Sequence, residues 1–362
     1  MIVHHDARFR FLSSYDPVSG QGIRSHTYDE MGQDTGIDPW RATYPELLDV
    51  GIMGSCTHGL SGLCAASGVQ CYQNGATVSE PHLSFTHFKS IVDQSASRTF
   101  QMALGGRGDP NDHPDFLDMI SYAHDHGIVP NFTTSGMGLK DEQLATIKHC
   151  CGAVAVSWYR SPITETTLKR LTEAGIKTNI HYVLSRSTLD EAFTLMDRVM
   201  KDPSINRLIF LLHKPGGQGQ QDEVLSIADP IVKRFFHRFD DPKLMEKVGF
   251  DSCGVPGLIN TTSRIDPSCI EACEAGRYSA YITPDYRLVP CSFEKDQAYA
   301  VDLRTHTIAQ AFDSPAFDRF RSRLDHHCEG CVDRESCRSG CPIVPDITLC
   351  QRLVRTTPGA HL

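Results

Sequence analysis

The hydrophobic and polar positions of residues 46–245 alternate between two patterns. Short apolar runs such as TFQMALGG and KTNIHYVLS predict strands. Amphipathic stretches such as HLSFTHFKSIVDQSAS and TETTLKRLTEAG, the latter with a threonine as its cap, predict helices. The unit of strand, helix and Gly-containing turn recurs about every 30 residues, and about six units fit in this range. We therefore expect an α/β fold with a partial, TIM-like (βα)6 barrel, since a full barrel needs eight units.

The two ends of the chain follow other patterns. Residues 1–45 are polar and broken by Gly, Asp and Pro, which predicts a lead-in segment with a hairpin around DPVSGQG. After about residue 245 the helical periodicity thins, apart from DSPAFDRFRSRLDHH, and Cys, Gly and Pro become frequent. We expect a lead-in at 1–45, a barrel at 46–245 and a small Cys-rich domain at 246–362. This last domain has few apolar residues in regular patterns, so we expect bound metal to supply the folding stability that its hydrophobic core does not.

Charge and hydropathy narrow the classes of partner. The net charge of -9 and the lack of a long basic run argue against a nucleic-acid-binding face. No apolar run reaches the roughly 18 residues of a membrane span. The N-terminal stretch MIVHHDARFRFLSSYD lacks the apolar core of a signal peptide. We expect a cytoplasmic protein without nucleic-acid or membrane partners.

The number and positions of the cysteines are the most informative feature of the sequence. The chain has 14 cysteines, and a reducing compartment argues against disulfides. Only Cys150 and Cys151 lie in the long middle of the chain, where packing explains them. The others cluster in loops rich in Gly, Pro and charge, which is typical of metal ligands.

The C-terminal cysteines are numerous enough for more than one metal centre. In CEGCVDRESCRSGC, which begins at residue 328, and the following Cys350, the cysteines are separated by two, five, three and eight residues. Four thiolates make one zinc site, whereas two four-iron clusters use eight. The supply of nine favours clusters, and zinc stays an alternative. The nine are Cys253, Cys269, Cys273, Cys291, Cys328, Cys331, Cys337, Cys341 and Cys350.

This region resembles the SPASM domain of radical SAM enzymes. The resemblance lies in CEAGRYSAYITPDYRLVPC, residues 273–291, and in the run that follows. Tyr286 stands where the family has Gly, and the gap before Cys350 is shorter than usual. The resemblance implies two auxiliary [4Fe–4S] clusters. The first would be held by Cys273, Cys291, Cys341 and a fourth ligand, and the second by Cys328, Cys331, Cys337 and Cys350.

The fourth ligand of the first auxiliary cluster is open between two residues. Cys253 lies in a Gly/Pro loop at the predicted domain boundary. Cys269 lies within about one helical turn of Cys273, which makes it redundant with that residue. We favour Cys253 on this ground.

The same family explains three early cysteines, Cys56, Cys64 and Cys71, in GSCTHGLSGLCAASGVQCYQNG. Radical SAM enzymes usually space them as Cys-x3-Cys-x2-Cys, whereas here the gaps are seven and six residues. The triplet follows the first predicted barrel strand, and its last member is followed by the aromatic Tyr72, as in the family, which implies that Tyr72 contacts the cofactor. The resemblance covers about residues 46–350 and implies a catalytic [4Fe–4S] cluster on these three thiolates. Its open iron would chelate S-adenosylmethionine.

Further residues are implied to contact S-adenosylmethionine. GGRGDPNDHPDF, residues 105–116, resembles the family's Gly-Gly-Glu-Pro motif, with Asp109 in the place of Glu. Gly105, Gly106 and Asp109 would thus position the methionine ammonium. Ser135 ends a strand where the family often has Thr-Asn-Gly, although a strand-end turn is the alternative. Ser157 and Asn179 lie on strands that line the cofactor pocket in the family, although core or barrel packing is the alternative for each.

The resemblance implies the reaction but not the substrate. Reductive cleavage of S-adenosylmethionine would give a 5′-deoxyadenosyl radical, which abstracts hydrogen from a peptide or protein side chain to form a crosslink, a thioether or an oxidised residue. A flavodoxin- or ferredoxin-type protein would donate the electron. Ser292 replaces the Asp that serves as base in related sulfatase-maturing enzymes, so their dehydrogenation is not implied. The alternatives are a radical SAM dehydrogenase or epimerase of a small alcohol or sugar, and a zinc-stabilised interaction protein.

Overall fold

The computed structural model describes residues 1–351 apart from 69, 263, 266–269, 326, 327 and 329. Its strands form a three-stranded sheet and a ten-stranded sheet. The strands are β1 Ile2–Asp6, β2 Phe11–Asp16, β3 Gln21–Arg24, β4 Leu47–Met53, β5 Gln101–Gly106, β6 Val129–Thr134, β7 Val154–Ser157, β8 Thr178–Leu184, β9 Arg207–Leu212, β10 Val248–Phe250, β11 Ser279–Ile282, β12 Arg287–Val289 and β13 Val301–Asp302.

The helices vary from one turn to nearly four. The α-helices are α1 Thr57–Ser61, α2 Leu63–Ala66, α3 Phe85–Ser95, α4 Phe116–Asp125, α5 Asp141–Cys150, α6 Pro162–Glu173, α7 Leu189–Lys201, α8 Pro230–His237, α9 Pro242–Met245, α10 Val255–Thr261, α11 Ile308–Phe312, α12 Pro315–Arg321 and α13 Arg334–Cys337. Short 3-10 helices span Pro110–Asp112, Gln221–Glu223, Arg238–Asp240, Ser252–Gly254, Gln297–Tyr299, Ser322–Asp325 and Pro345–Ile347. Within the described ranges no helix is long and apolar enough to cross a membrane.

The ten-stranded sheet confirms the predicted partial barrel. Its order is β10-β9-β8-β7-β6-β5-β4-β11-β12-β13, and neighbouring strands from β4 to β10 pair in parallel. A helix follows each of the six strands β4 to β9 before the next strand begins. The sheet has two separate edges, so the barrel stays open as the unit count predicts.

Strand alternation decides which side chains face the helices. Leu48, Val50 and Ile52 of β4 have no exposed surface and pack with Phe88 and Ile91 of α3. Because side chains alternate along a strand, the residues between them face the opposite, concave side of the sheet. The interior of the barrel is therefore lined by the odd-numbered positions of β4.

The C-terminal region extends the barrel sheet at both edges. β10 pairs in parallel with β9, and β11 pairs in parallel with β4 on the other edge. β11, β12 and β13 then form an antiparallel meander. The predicted boundary near residue 245 stays a prediction, since one sheet includes strands from both sides of it.

The lead-in segment forms its own antiparallel sheet. β2 and β3 pair around residues 17–20, which is the predicted hairpin, and β1 adds to the other side of β2. Phe11 is fully buried and meets Tyr278 edge to face, with 6.4 Å between the ring centroids. Phe11 thereby packs this sheet against the C-terminal region.

Two predicted helix details are wrong. The cap of α6 is Ser161, whose Oγ accepts from the Thr164 N–H at 3.3 Å, and Pro162 occupies the first turn. Proline fits there because first-turn N–H groups have no helical partner. The predicted helix DSPAFDRFRSRLDHH begins after its cap Ser314, and α12 ends at Arg321, where a 3-10 helix follows.

Candidate functional site

Two of the three early cysteines face one small space. Cys56 caps α1, and its Sγ accepts from the Gly59 N–H at 3.3 Å. The Sγ of Cys71 accepts from the Gly75 N–H at 3.4 Å. A Cβ placed on Gly75 would lie 3.5 Å from each of the two sulfurs. Glycine therefore leaves this space open, and the two N–H groups favour thiolates.

Cys64 completes the predicted triplet. It lies on α2, and its Sγ is 3.4 Å from the Tyr159 hydroxyl. Burial raises the pKa of the Cys64 thiol, and the nearby Cys56 and Cys71 add to the rise. All three cysteines thus meet where the chain leaves β4, at the carboxyl end of the barrel strands, despite their wide sequence spacing.

The Gly-Gly segment lies beside this loop. Gly106 pairs with Met53 across β4 and β5. Its φ is 116°, and a Cβ added there would collide with the Met53 carbonyl oxygen, so only glycine fits at this position. A Cβ on Gly105 would meet no atom within 4 Å. Gly108 approaches closely too, since its Cβ would lie 2.8 Å from the Ser55 carbonyl oxygen. Gly108 therefore lies against the cysteine loop, and Gly105 borders open space.

Asp109 and Ser135, two predicted cofactor contacts, bind each other. Asp109 is buried, and its Oδ2 accepts from the N–H and the Oγ of Ser135, both at 2.7 Å. The same oxygen accepts from Thr134 Oγ1 at 2.9 Å. The carboxylate thus fixes the end of β6 to the Gly-Gly segment.

Sequence reasoning missed His58, which joins this network from α1. Its ring is 4 % exposed, and Nε2 lies 3.1 Å from Asp109 Oδ2 and 3.8 Å from Asp112 Oδ2. Burial by itself lowers the pKa of His58, but the two carboxylates raise it above the usual value. The only signal in the sequence was its position two residues after Cys56.

Of the remaining predicted cofactor contacts, Ser157 alone reaches the triplet. Its side chain and Cys64 both contact the Tyr159 hydroxyl. Asn179 lies near the amino end of β8, where its Oδ1 accepts from Asn206 Nδ2 at 2.7 Å. It lines a cavity of about 290 Å³ at the end of the barrel opposite the cysteine loop. The structure therefore does not bring Asn179 to the triplet.

Tyr72 faces the C-terminal region instead. Its ring stacks on Phe293 with 4.1 Å between centroids, and its side chain contacts Ser292. Since Tyr72 follows Cys71 and Ser292 follows Cys291, this contact joins the two cysteine loops.

Four thiols of the C-terminal region line one cavity of about 550 Å³. Cys253 and Cys341 are in side-chain contact there. Burial raises the pKa of the Cys291 thiol to about 12 and that of Cys273 as well. The structure thus places Cys253 with the predicted ligands Cys273, Cys291 and Cys341, whereas Cys269 lies outside the described residues.

The last four predicted ligands form a second group around α13. Burial raises the pKa of Cys337 to about 12, and the neighbouring Cys328, Cys350 and Cys331 contribute to the rise. In the part of the chain that the structure describes, no three thiol, imidazole or carboxylate groups lie close enough to hold one metal ion. A set of four cysteines matches the Cys₄ ligation of a four-iron cluster, in which each thiolate binds a different iron.

Two charged residues in the 550 Å³ cavity were not predicted. Asp49 lies on the concave side of β4, and burial, helped by Glu274, raises its pKa to about 7. Lys214 follows β9 and donates from Nζ to Asp251 Oδ2 at 2.8 Å and to the Leu212 carbonyl at 3.1 Å. For Asp49 the available signal was a lone acid in the apolar run LLDVGIM.

Comparisons with known proteins agree with this geometry. Residues 273–341 match the SPASM family, an iron–sulfur cluster-binding domain. The mycofactocin maturase MftC of Mycobacterium tuberculosis is 23% identical over 320 residues, which cover 77% of this chain and 75% of that protein.

Two solved structures share the fold. Streptococcus suis SuiB bound to S-adenosylmethionine has a TM-score of 0.64 and 15% identity over 86% of this chain and 77% of that one. The enzyme anSMEcpe with bound AdoMet has a TM-score of 0.60 and 14% identity over 82% of this chain and 89% of that one. Together these findings show a SPASM domain at residues 273–341 and a fold shared with SuiB and anSMEcpe, and they agree with the resemblance to radical SAM enzymes.

Proposed function

We propose that the protein is a peptide-modifying radical SAM enzyme with one catalytic and two auxiliary [4Fe–4S] clusters. One observation carries the proposal: the chain has three separate sets of cysteines, and the set of Cys56, Cys64 and Cys71 lies against Gly108 at the carboxyl end of the first barrel strand. Bound there, the catalytic cluster and S-adenosylmethionine would supply a 5′-deoxyadenosyl radical for hydrogen abstraction.

The chain's own residues prepare the catalytic site. Cys56, Cys64 and Cys71 would hold the cluster, and the N–H groups of Gly59 and Gly75 stabilise two of the sulfurs. The open space at Gly105 leaves room for the methionine part of the cofactor. The hydrogen bond between Asp109 and Ser135 holds the end of β6 in place beside this space. Ser157 contacts the Tyr159 hydroxyl, which in turn contacts Cys64. Gly106 allows the close pairing of β4 and β5.

The auxiliary clusters have complete protein ligation in the proposal. Cys253, Cys273, Cys291 and Cys341 would hold the first, and the cavity they line supports this set. Cys328, Cys331, Cys337 and Cys350 would hold the second. Because no iron is left open in either, we infer that both clusters carry electrons rather than bind substrate.

The substrate class is argued from the relatives. MftC is named a maturase, and SuiB has been solved with its precursor peptide SuiA, in a structure 16% identical to this chain with a TM-score of 0.63. We infer a peptide substrate, a flavodoxin- or ferredoxin-type electron donor and a cytoplasmic location.

The test is S-adenosylmethionine cleavage by anaerobically purified protein. With dithionite and S-adenosylmethionine, we expect the wild type to form 5′-deoxyadenosine. Cys56→Ala and Cys71→Ala should lose this activity, because each removes one cluster ligand. Cys150→Ala should keep the cleavage activity, since Cys150 is buried near Ser121 and belongs to none of the three sets of cysteines. A wild type that holds iron but forms no 5′-deoxyadenosine would refute the proposal.

A further inference from the structure

The cavity of the first auxiliary site has an uneven distribution of charge. Four carboxylates line it, whereas Lys214 is its only cation among the described lining residues. Arg24 lies outside the lining but binds Glu274 at 2.7 Å and Glu271 at 3.0 Å, so these two are compensated. Arg277, also outside the lining, donates to the Cys273 carbonyl at 3.2 Å and lies 3.3 Å from Glu271. Among the charged lining residues, Asp49, Asp251 and Lys214 remain.

Lys214 is held in a fixed position. Its side chain is 6% exposed, and Nζ donates to Leu212 O and to Asp251 Oδ2. The same ammonium lies 4.4 Å from the centroid of the Phe293 ring. Asp251 precedes Cys253 by two residues and Phe293 follows Cys291 by two residues. The charge is thus fixed between the two loops that carry these cysteines. Because it is buried, solvent and salt screen it only weakly.

The ammonium and the thiols border the same cavity, since Lys214 lines it together with Cys253, Cys273, Cys291 and Cys341. Removal of the ammonium therefore removes one positive charge from the space in which the four thiols lie.

We propose that Lys214 is a positioning residue that raises the reduction potential of the first auxiliary cluster. One-electron reduction adds one negative charge to a cluster, and a fixed, buried ammonium stabilises the state with the additional charge. The inference rests on the proposed function, because it needs a cluster on Cys253, Cys273, Cys291 and Cys341. The ammonium makes this cluster a better electron acceptor than the same cluster would be without it.

The experiment is an anaerobic redox titration of the holoenzyme followed by electron paramagnetic resonance. The signal that disappears in Cys341→Ala assigns the first auxiliary cluster. Lys214→Met keeps the length and the contact with Phe293 but removes the charge, and it should shift the midpoint of this cluster to a more negative potential. The midpoints of the other two clusters should not move. Lys214→Arg should stay near the wild-type value because it keeps the charge.

A matched control is Lys247→Met. Lys247 is also a partly buried lysine, but its Nζ donates to the carbonyl oxygens of Asp202 and Ile205, away from the cavity. It should leave all three midpoints unchanged. Asp251→Asn tests the opposite sign: without its counter-ion, Lys214 should shift the midpoint to a more positive potential.

The outcomes separate the two claims. A Lys214→Met protein with wild-type iron content and an unshifted midpoint would overturn the role of Lys214 and leave the proposed function intact. If Lys214→Met loses the cluster, the direction of the shift in Asp251→Asn decides. A wild type without iron in this cavity would refute the proposed function itself, and the inference with it.

Discussion

At the scale of single residues, side chains around the cysteine loops are held by one another. Asp109 binds Ser135 and Thr134, while His58 lies against the same carboxylate. Buried polar groups in such networks have fixed positions because each lost contact leaves a neighbour unsatisfied. The loop that carries Cys56 is thereby tied to β6.

Gly106→Ala should destabilise the protein. The φ of 116° disfavours any Cβ, and the added atom would meet the Met53 carbonyl, so a loss of about 1–3 kcal/mol is expected. Gly105→Ala is the control, since its Cβ would meet no atom within 4 Å. Thermal unfolding of the two variants checks the difference, and equal midpoints would count against this account of β4 and β5.

His181 should make stability depend on pH. Burial lowers its pKa from 6.5 to about 4, and one ring nitrogen contacts Thr133 Oγ1 at 3.1 Å. The unfolded chain therefore binds a proton that the folded protein does not, so stability is lost as the pH falls from about 6.5 towards 4. At pH 5.5 the loss is about 1 kcal/mol. His181→Gln should narrow the difference between thermal midpoints at pH 7.5 and pH 5.5, and an unchanged difference would exclude this group as the cause.

At the scale of elements, one arginine connects the N-terminal sheet to the rest. Arg24 ends β3, and its guanidinium binds Glu46 at 2.7 Å and Glu274 at 2.7 Å. It also lies over the ring of Tyr278 at 3.6 Å. Glu46 precedes β4 and Glu274 follows Cys273, so the three segments meet at this residue.

Arg24→Met should therefore cost more than an ordinary surface pair. It leaves Glu46, whose side chain is 10% exposed, without its cation, and a loss of about 2–3 kcal/mol is expected. Arg8→Met is the matched control, because Arg8 and its partner Asp313 are 50% and 39% exposed and the pair is worth less than about 1 kcal/mol. Thermal unfolding checks both, and similar losses would mean that burial at Arg24 adds nothing.

The sequence was sufficient for elements with strong periodicity. The strands and helices of the six βα units could be predicted because alternation and amphipathic spacing are local properties. The parallel pairing of β11 with β4 could not, since it joins residues more than 200 positions apart and depends on tertiary packing. The cap of α6 was missed because three threonines follow Ser161 and any of them fits the capping pattern.

The site was predicted as far as its residue types are diagnostic. Cysteines have few other reasons to cluster in loops, so their groups were visible in the sequence. His58, Asp49 and Lys214 are ordinary residues whose importance comes from burial and neighbours, and neither is encoded locally. Asn179 was predicted as a cofactor contact, but it lies at the amino end of β8. The prediction failed because the pattern of a strand alone does not reveal which of its ends faces the cofactor.

At the scale of the whole molecule, one sheet places two sets of cysteines next to each other. β11 lies directly beside β4, so the loops after Cys71 and Cys291 touch through Tyr72 and Phe293. The cavity lined by Cys253, Cys273, Cys291 and Cys341 is therefore next to the loop that carries Cys71.

The most direct measurement is the iron, sulfide and zinc content of anaerobically purified protein. Three four-iron clusters predict about twelve iron and twelve sulfide per chain with no zinc. The single replacements Cys64→Ala, Cys273→Ala and Cys337→Ala should each lower the iron content by about four, because each removes a ligand from a different set of cysteines. Two or three zinc ions per chain without iron would contradict the account and leave a zinc-stabilised interaction protein.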